Sequence, residues 1–214
     1  MIDLSIKKAS KILCLGAHSD DIEIGCGGTL LKIAQDNPSC EVHWIVFSAN
    51  DHRRKEAIES AEEFLQTVKI RNIEVKNFRD SFFPYEGERI KEEFETIKNK
   101  IDPDIVFTHY RDDRHQDHRI LSDLAWNTFR NNIILEYEVP KYDGDLGHPN
   151  VFFEIDEDLA NKKVDLLCRY FQTQTNKHWF SKDLFLSLMR IRGMESASQY
   201  TEAFYCRKLK IGLK

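Results

Sequence analysis

Short apolar runs alternate with amphipathic segments along the first 140 residues of the chain. The apolar runs predict buried strands over residues 11–17, 41–49, 72–78, 104–110 and 133–140. The segments between them predict helices over about 27–35 and over 53–68, 88–101 and 118–130. Strands that alternate with helices in this way favour a parallel sheet with helices on both of its faces.

The pattern changes after Pro140. A polar loop over 141–150 contains glycine, and a strand over 151–155, helices over about 157–171 and 181–192, and a closing strand over 202–211 follow it. We expect one domain over 1–214, in which 141–214 is a C-terminal elaboration. The predicted fold class is α/β, a Rossmann-like three-layer sandwich with a mostly parallel sheet.

Composition and charge narrow the range of partners. The 214 residues are 41% hydrophobic and 31% charged, and the formal net charge is −5, which does not favour binding to nucleic acid. The five cysteines are scattered without a C-x-x-C pair, which is typical of reduced thiols. No apolar run approaches the roughly 18 residues needed to cross a bilayer. We therefore expect a cytoplasmic protein without membrane insertion.

The first strand runs directly into A-H-S-D-D-I-E-I-G-C-G-G-T-L, at residues 17–30. A glycine-rich turn in this place could bind phosphate, but Asp20, Asp21 and Glu23 would repel an anion. The glycines are better explained as positions where a helix packs closely beneath the acids. One of the two aspartates could also simply cap that helix.

A second polar cluster, H-Y-R-D-D-R-H-Q-D-H-R at residues 109–119, follows the strand over 104–110. Sites in parallel sheets lie at the carboxyl ends of the strands, so the two clusters can share a cleft. Two histidines and one carboxylate would leave an open position on a catalytic zinc ion or a non-haem iron. A spare carboxylate, Asp20 beside Asp21, favours metal-assisted hydrolysis, although a solvated, charge-balanced loop is the simpler alternative for the second cluster.

These two segments resemble the PIG-L/LmbE family of zinc-dependent N-deacetylases. The family carries A-H-P-D-D-E followed by G-C-G-G-T, and later H-x-D-H; the chain has A-H-S-D-D-I-E-I-G-C-G-G-T and D-R-H-Q-D-H. R-G-M-E-S-A-S-Q-Y-T-E-A-F is similar to the family's ending, so the resemblance extends over about residues 11–206. Ser19 replaces the family's proline and Ile22 its glutamate.

The resemblance implies a role for each residue of the two motifs. Zinc would bind to His18, Asp21 and His118. Asp20 would act as the general base. His115, as an imidazolium, would stabilise the tetrahedral intermediate or protonate the leaving amine, and Asp117 would orient His115.

Further residues are candidates for binding substrate. The arginine of the family that contacts substrate hydroxyls corresponds to Arg53, with Arg54 as the alternative, and Tyr110 is a candidate oxyanion donor. Tyr142 and His178 lie in segments rich in the residue types that line sugar sites, although a structured loop and a packed aromatic cluster explain them equally well.

The expected function is hydrolysis of an N-acetyl group from a small amino sugar or sugar conjugate, such as an N-acetylglucosamine derivative, a nucleotide sugar or a glycan precursor. We expect one Zn²⁺ per chain, with Fe²⁺ as the alternative metal, and a homo-oligomer is compatible with the family. A related amidase that removes a larger acyl group and a non-catalytic sugar-binding module remain alternatives. The roles of Glu23, His148 and the loop over 141–150 are open.

Overall fold

The structure, a computed structural model, describes residues 9–210. Seven strands within these residues form one sheet in the order β3-β2-β1-β4-β5-β7-β6. Their bounds are β1 Lys11–Gly16, β2 Glu41–Val46, β3 Ile70–Val75, β4 Ile105–His109, β5 Ile133–Tyr137, β6 Val151–Ile155 and β7 Tyr200–Tyr205. The first five strands are parallel, and β7 is antiparallel to both of its neighbours.

Helices cover both faces of this sheet. Their bounds are α1 Asp21–Asp36, α2 Asp51–Phe64, α3 Gly87–Lys100, α4 Gln116–Thr128, α5 Glu157–Tyr170 and α6 Lys182–Ser196. Side chains alternate along β1, so Ile12 and Cys14 join the core beneath α1, α2, α5 and α6, while Leu13 and Leu15 join the core beneath α3 and α4. The predicted three-layer α/β sandwich is therefore confirmed.

Most element boundaries lie within a few residues of their predicted positions, but α1 does not. This helix begins at Asp21 instead of near residue 27, and it is kinked at Cys26, where φ is −142°. The glycines permit this arrangement because a Cβ on Gly25 would lie 2.1 Å from the ring of Tyr137, and one on Gly27 would lie 2.7 Å from Phe64. Tertiary packing thus overrides the poor helix propensity of this segment.

The segment after Pro140 is part of the same sheet. Strand β7 pairs with β5 through Glu136↔Tyr205 and Tyr137↔Phe204, and β6 lies at the outer edge. The last strand, predicted over 202–211, is found at Tyr200–Tyr205 and ends earlier than predicted; residue 211 lies outside the described residues. No helix in the described residues is both long enough and apolar enough to cross a membrane.

A buried ion pair ties this C-terminal part to the kink in α1. Glu202, on β7, accepts hydrogen bonds from the backbone amides of Gly28 at 2.8 Å and Thr29 at 2.6 Å. Lys163, on α5, donates to Glu202 Oε1 and to the carbonyl oxygen of Ile24, both at 2.6 Å. The pair therefore satisfies backbone groups that the kink leaves without helical partners.

We predict that Lys163→Met lowers the free energy of unfolding by about 3–5 kcal/mol, because it leaves the carboxylate of Glu202 buried without its counter-charge. Urea unfolding monitored by circular dichroism measures this loss. The matched control is Lys182→Met, which breaks an exposed ion pair with Asp165 and should leave the unfolding midpoint unchanged. Equal midpoints for the two variants would show that the buried pair does not stabilise the fold.

Candidate metal centre and active site

Three side-chain atoms converge where β1 and β4 end. The distance from His18 Nδ1 to His118 Nε2 is 3.2 Å, from His18 Nδ1 to Asp21 Oδ2 3.3 Å, and from His118 Nε2 to Asp21 Oδ2 3.5 Å. A tetrahedral zinc ion bound at about 2.0–2.1 Å holds its ligand atoms roughly 3.3–3.4 Å apart. The spacing of the three atoms and their N₂O donor set therefore fit a zinc ion.

The fold explains why these three residues meet. His18 lies in the turn after β1, Asp21 is the first residue of α1, and His118 lies in the first turn of α4, which follows β4. Strands β1 and β4 are neighbours, with Ile12 paired to Ile105, so their carboxyl ends share one edge of the sheet. All three side chains are at least nine-tenths buried, and the backbone amide of His18 donates to Asp21 Oδ2 at 2.6 Å.

Each histidine of this triad contacts a carboxylate through its other ring nitrogen. Asp117 Oδ2 lies 3.2 Å from His18 Nε2, and Asp113 Oδ2 lies 2.8 Å from His118 Nδ1. Such contacts fix the tautomer and the orientation of a histidine that binds a metal. They leave His18 Nδ1 and His118 Nε2 as the metal-facing atoms.

The position of Asp117 differs from the sequence-based interpretation, in which its side chain orients His115. Besides its contact with His18, the carboxylate accepts hydrogen bonds from the backbone amides of Ser81 at 2.7 Å and Phe83 at 3.2 Å. The contact to His115 comes instead from the backbone, because the amide of Asp117 donates to His115 Nδ1 at 3.3 Å. Asp117 thus orients a predicted ligand and also holds the segment after β3 against α4.

His115 is the N-cap of α4 and stands beside the triad. Its ring lies edge-on to that of His18, with the ring centroids 4.9 Å apart. Because Nδ1 accepts the backbone amide, a neutral ring carries its proton on Nε2. Burial and the nearby His18 lower the pKa of His115, which favours this neutral form over the imidazolium that we expected.

Asp20 lies next to the triad and is 4% exposed. Its Oδ1 accepts a hydrogen bond from Arg53 Nη2 at 2.6 Å. Burial raises the pKa of the Asp20 carboxyl, and the guanidinium of Arg53 opposes this shift. The ion pair engages Oδ1, and no side chain in the described part of the chain donates a hydrogen bond to Oδ2 of Asp20.

The two candidate arginines diverge. Arg53 points to Asp20, whereas the guanidinium of Arg54 donates to the carbonyl oxygen of Val75 at the end of β3. Of the two, only Arg53 contacts a residue of the motif that contains the predicted base. The structure thus places the first-choice arginine, and not the alternative, beside the candidate site.

The remaining substrate-binding candidates fall in two places. The ring of Tyr110 stacks on that of Tyr205, with the ring centroids 3.8 Å apart, so it packs against the end of β7. Tyr142 and His178, which are 36 residues apart in the sequence, meet with Tyr142 Oη 3.2 Å from His178 Nδ1. Tyr142 remains 69% exposed, so its ring is accessible to a ligand.

The sequence pattern did not single out two residues that the structure places at this centre, His109 and Asp80. His109, the last residue of β4, is fully buried; its Nε2 accepts the amide of Ala17 at 2.9 Å, and its ring stacks on His118 at 3.9 Å. Asp80 places Oδ1 3.3 Å from His18 Nε2. The position of His109 at the carboxyl end of a central strand is the signal that could have identified it.

Glu23 has a different environment from the acids that precede it. It is fully buried, and within the described residues neither carboxylate oxygen has a hydrogen-bond partner. Burial raises the pKa of Glu23 well above its usual value, which favours the neutral acid. Burial therefore opposes a negative charge on Glu23.

Comparison with known proteins identifies the family. Two histidines, an aspartate and a neighbouring carboxylate at the sheet edge are a set of side chains that metal-dependent hydrolases use. Residues 13–129 match the PIG-L model, described as GlcNAc-PI de-N-acetylase. The chain belongs to this family.

Individual relatives agree with this assignment. The chain is 30% identical over 177 residues to the uncharacterised deacetylase YaiS of Escherichia coli K12, a match that covers 78% of this chain and 93% of YaiS. The N,N'-diacetylchitobiose deacetylase of Pyrococcus horikoshii is 25% identical, with a TM-score of 0.73 over 94% of this chain and 84% of its own. GalB, the 4-carboxy-2-hydroxymuconate hydratase of Pseudomonas putida KT2440, is 15% identical with a TM-score of 0.76 over 96% of this chain and 99% of its own, and it shows the fold alone.

The contacts of Asp117 lead to a prediction about metal affinity. Asp117→Ala should weaken Zn²⁺ binding by about 10–100-fold, because His18 loses the acceptor that fixes its ring. Competition with a chromophoric chelator measures this constant. His115→Ala is the matched control and should keep the affinity of the unmodified protein. If Asp117→Ala also keeps it, the contact with His18 does not support metal binding.

Proposed function

We propose that the chain is a zinc-dependent N-deacetylase that removes the acetyl group from a small amino sugar or its conjugate. One observation carries this proposal: His18, Asp21 and His118 present three atoms at tetrahedral spacing, and Asp20 lies next to them with one oxygen available. Membership of the PIG-L family supports the same reaction.

His18, Asp21 and His118 would hold one zinc ion. When bound, zinc lowers the pKa of a coordinated water and polarises a carbonyl group. Asp20 then accepts the proton of the attacking water at Oδ2, while Arg53 holds its Oδ1. A buried carboxylate with one oxygen already paired has few other orientations, so the base is positioned before substrate binds.

His115 acts on the other side of the reacting amide. With Nδ1 engaged by the backbone amide of Asp117, its Nε2–H is free to donate. This N–H hydrogen-bonds to the developing oxyanion, and the proton that Asp20 has taken from water passes to the nitrogen as the carbon–nitrogen bond breaks. The products are acetate and the free amine.

Contacts outside the metal centre support a sugar substrate. Arg53 supplies hydrogen-bond donors beside Asp20, and Tyr142 and His178 together form a polar aromatic pair, of the kind that lines carbohydrate sites. The deacetylase of Pyrococcus horikoshii, which acts on N,N'-diacetylchitobiose, is one relative with such a substrate.

The five cysteines are all free thiols, which supports a reducing, cytoplasmic location.

Release of the carboxylate product, acetate or butyrate, from a panel of amides tests the proposal and its alternatives. The panel contains N-acetylglucosamine, N,N'-diacetylchitobiose, a nucleotide-linked N-acetylglucosamine and N-butyrylglucosamine, each with and without a chelator. We expect chelator-sensitive acetate release that Zn²⁺ restores. Preference for the butyryl compound would favour the amidase alternative, restoration by Fe²⁺ alone would change the metal, and binding without turnover would favour a sugar-binding module.

Three substitutions separate the proposed roles. We expect His115→Ala to lose about 10²–10³ in kcat while it retains zinc, because it removes one preorganised donor to the transition state. Asp20→Asn should also retain zinc and lose turnover, since an amide cannot accept the proton of water. Asp21→Ala should lose the metal itself. Metal content by plasma emission spectrometry and initial rates give both readouts, and a metal-free His115→Ala variant would refute the assigned role.

A further inference from the structure

Lys141, which lies outside the two sequence motifs, contacts Asp113, the carboxylate beside the predicted metal ligand His118. Lys141 follows β5 at the same edge of the sheet, and its Nζ donates to Asp113 Oδ2 at 2.9 Å and to Asp145 Oδ2 at 2.6 Å. Asp113 Oδ2 is also the atom that lies 2.8 Å from His118 Nδ1. A single carboxylate oxygen therefore joins an imidazole to an ammonium group.

We propose that Lys141 is a positioning residue that, through Asp113, sets the imidazole of His118 for metal binding and anchors residues 141–145 beside it. This inference rests on the proposed function only in taking His118 as a zinc ligand. Lys141 itself does not touch the reacting atoms in this scheme.

Burial and charge explain why the ammonium group is required. The side chains of Lys141, Asp113 and Asp145 are only 9%, 3% and 6% exposed. Two buried carboxylates that share one ammonium would repel each other without it. Asp113 would then leave its place beside His118 or turn toward the metal as a competing ligand.

The same ammonium connects the metal centre to the loop after β5. Asp145 Oδ2 also accepts the backbone amide of Arg114 at 2.7 Å, so this contact and that of Lys141 with Asp113 hold the loop at two points against the segment between β4 and α4. Tyr142 is adjacent to Lys141 and contacts His178. A displaced loop would therefore move the aromatic pair that we assign to substrate.

Zinc affinity of Lys141 variants tests the proposal without any substrate. Lys141→Met should weaken zinc binding by about 10–100-fold, the usual effect of removing an outer partner of a ligand, and should change the visible absorption spectrum of the cobalt-substituted protein. Lys141→Arg keeps the charge and should recover most of the affinity. Lys182→Met, which removes an exposed lysine on α6, is the control and should match the unmodified protein.

A double-mutant cycle tests the route through Asp113. Asp113→Asn should weaken zinc binding, and adding Lys141→Met to it should cause little further loss, because Lys141 acts through that carboxylate. If the two losses add fully, or if Lys141→Met keeps both the zinc affinity and the cobalt spectrum of the unmodified protein, the proposal is wrong.

Two other results must be told apart from a failure of the proposal: a variant that does not fold, and a protein that binds zinc but has no deacetylase activity. If Lys141→Met does not fold by circular dichroism, Lys141→Gln, which removes the charge but retains a neutral donor one atom closer to the backbone, carries the same test, and an unchanged zinc affinity in it overturns the proposal. Since affinity and spectrum are measured without turnover, a protein that binds zinc but deacetylates nothing would refute the proposed function and leave the role of Lys141 standing.

Discussion

The parallel pairing of β1 with β4 is the constraint on which the rest of the site depends. These strands are separated by almost a hundred residues in the sequence, yet their pairing brings two turns to one edge of the sheet. One turn carries His18 and Asp21, and the other leads into the helix that carries His118. No contact within either segment alone could bring three ligand atoms within 3.5 Å of one another.

Electrostatics shape the cleft that this pairing creates. Four carboxylates are almost completely buried in or beside the triad: Asp20, Asp21, Asp113 and Asp117. Buried carboxylates of like charge are stable only with counter-charges or hydrogen-bond donors, which here include Arg53, Lys141 and the amides of the segment after β3. A divalent cation at the triad would add two positive charges where the negative charge is densest. The acidic surroundings that argue against phosphate thus favour a metal.

Much of this arrangement was predictable from the sequence, because strand–helix alternation and two short motifs are local signals. The fold class and the meeting of the two clusters follow from them. The early start of α1 did not, because its glycines disfavour a helix until Tyr137 and Phe64 pack against them. The partner of Asp117 was also not predictable: His115 is two residues away, but the carboxylate contacts His18, which is distant in the sequence. Lys141 escaped detection for the same reason, since its partner Asp113 lies 28 positions earlier.

The kink in α1 links this helix to β7, which follows it by more than 160 residues. Asp21 belongs to the first half of a helix whose second half starts beneath Glu202, a residue of the last strand. During synthesis the ribosome produces the turn that carries His18 and Asp21 long before that strand exists. Until β7 is made, the amides of Gly28 and Thr29 lack the carboxylate that accepts them, and the helix that presents Asp21 is incomplete. The order of translation therefore places the completion of the candidate site after the synthesis of β7, although His18 and Asp21 precede that strand by about 180 residues.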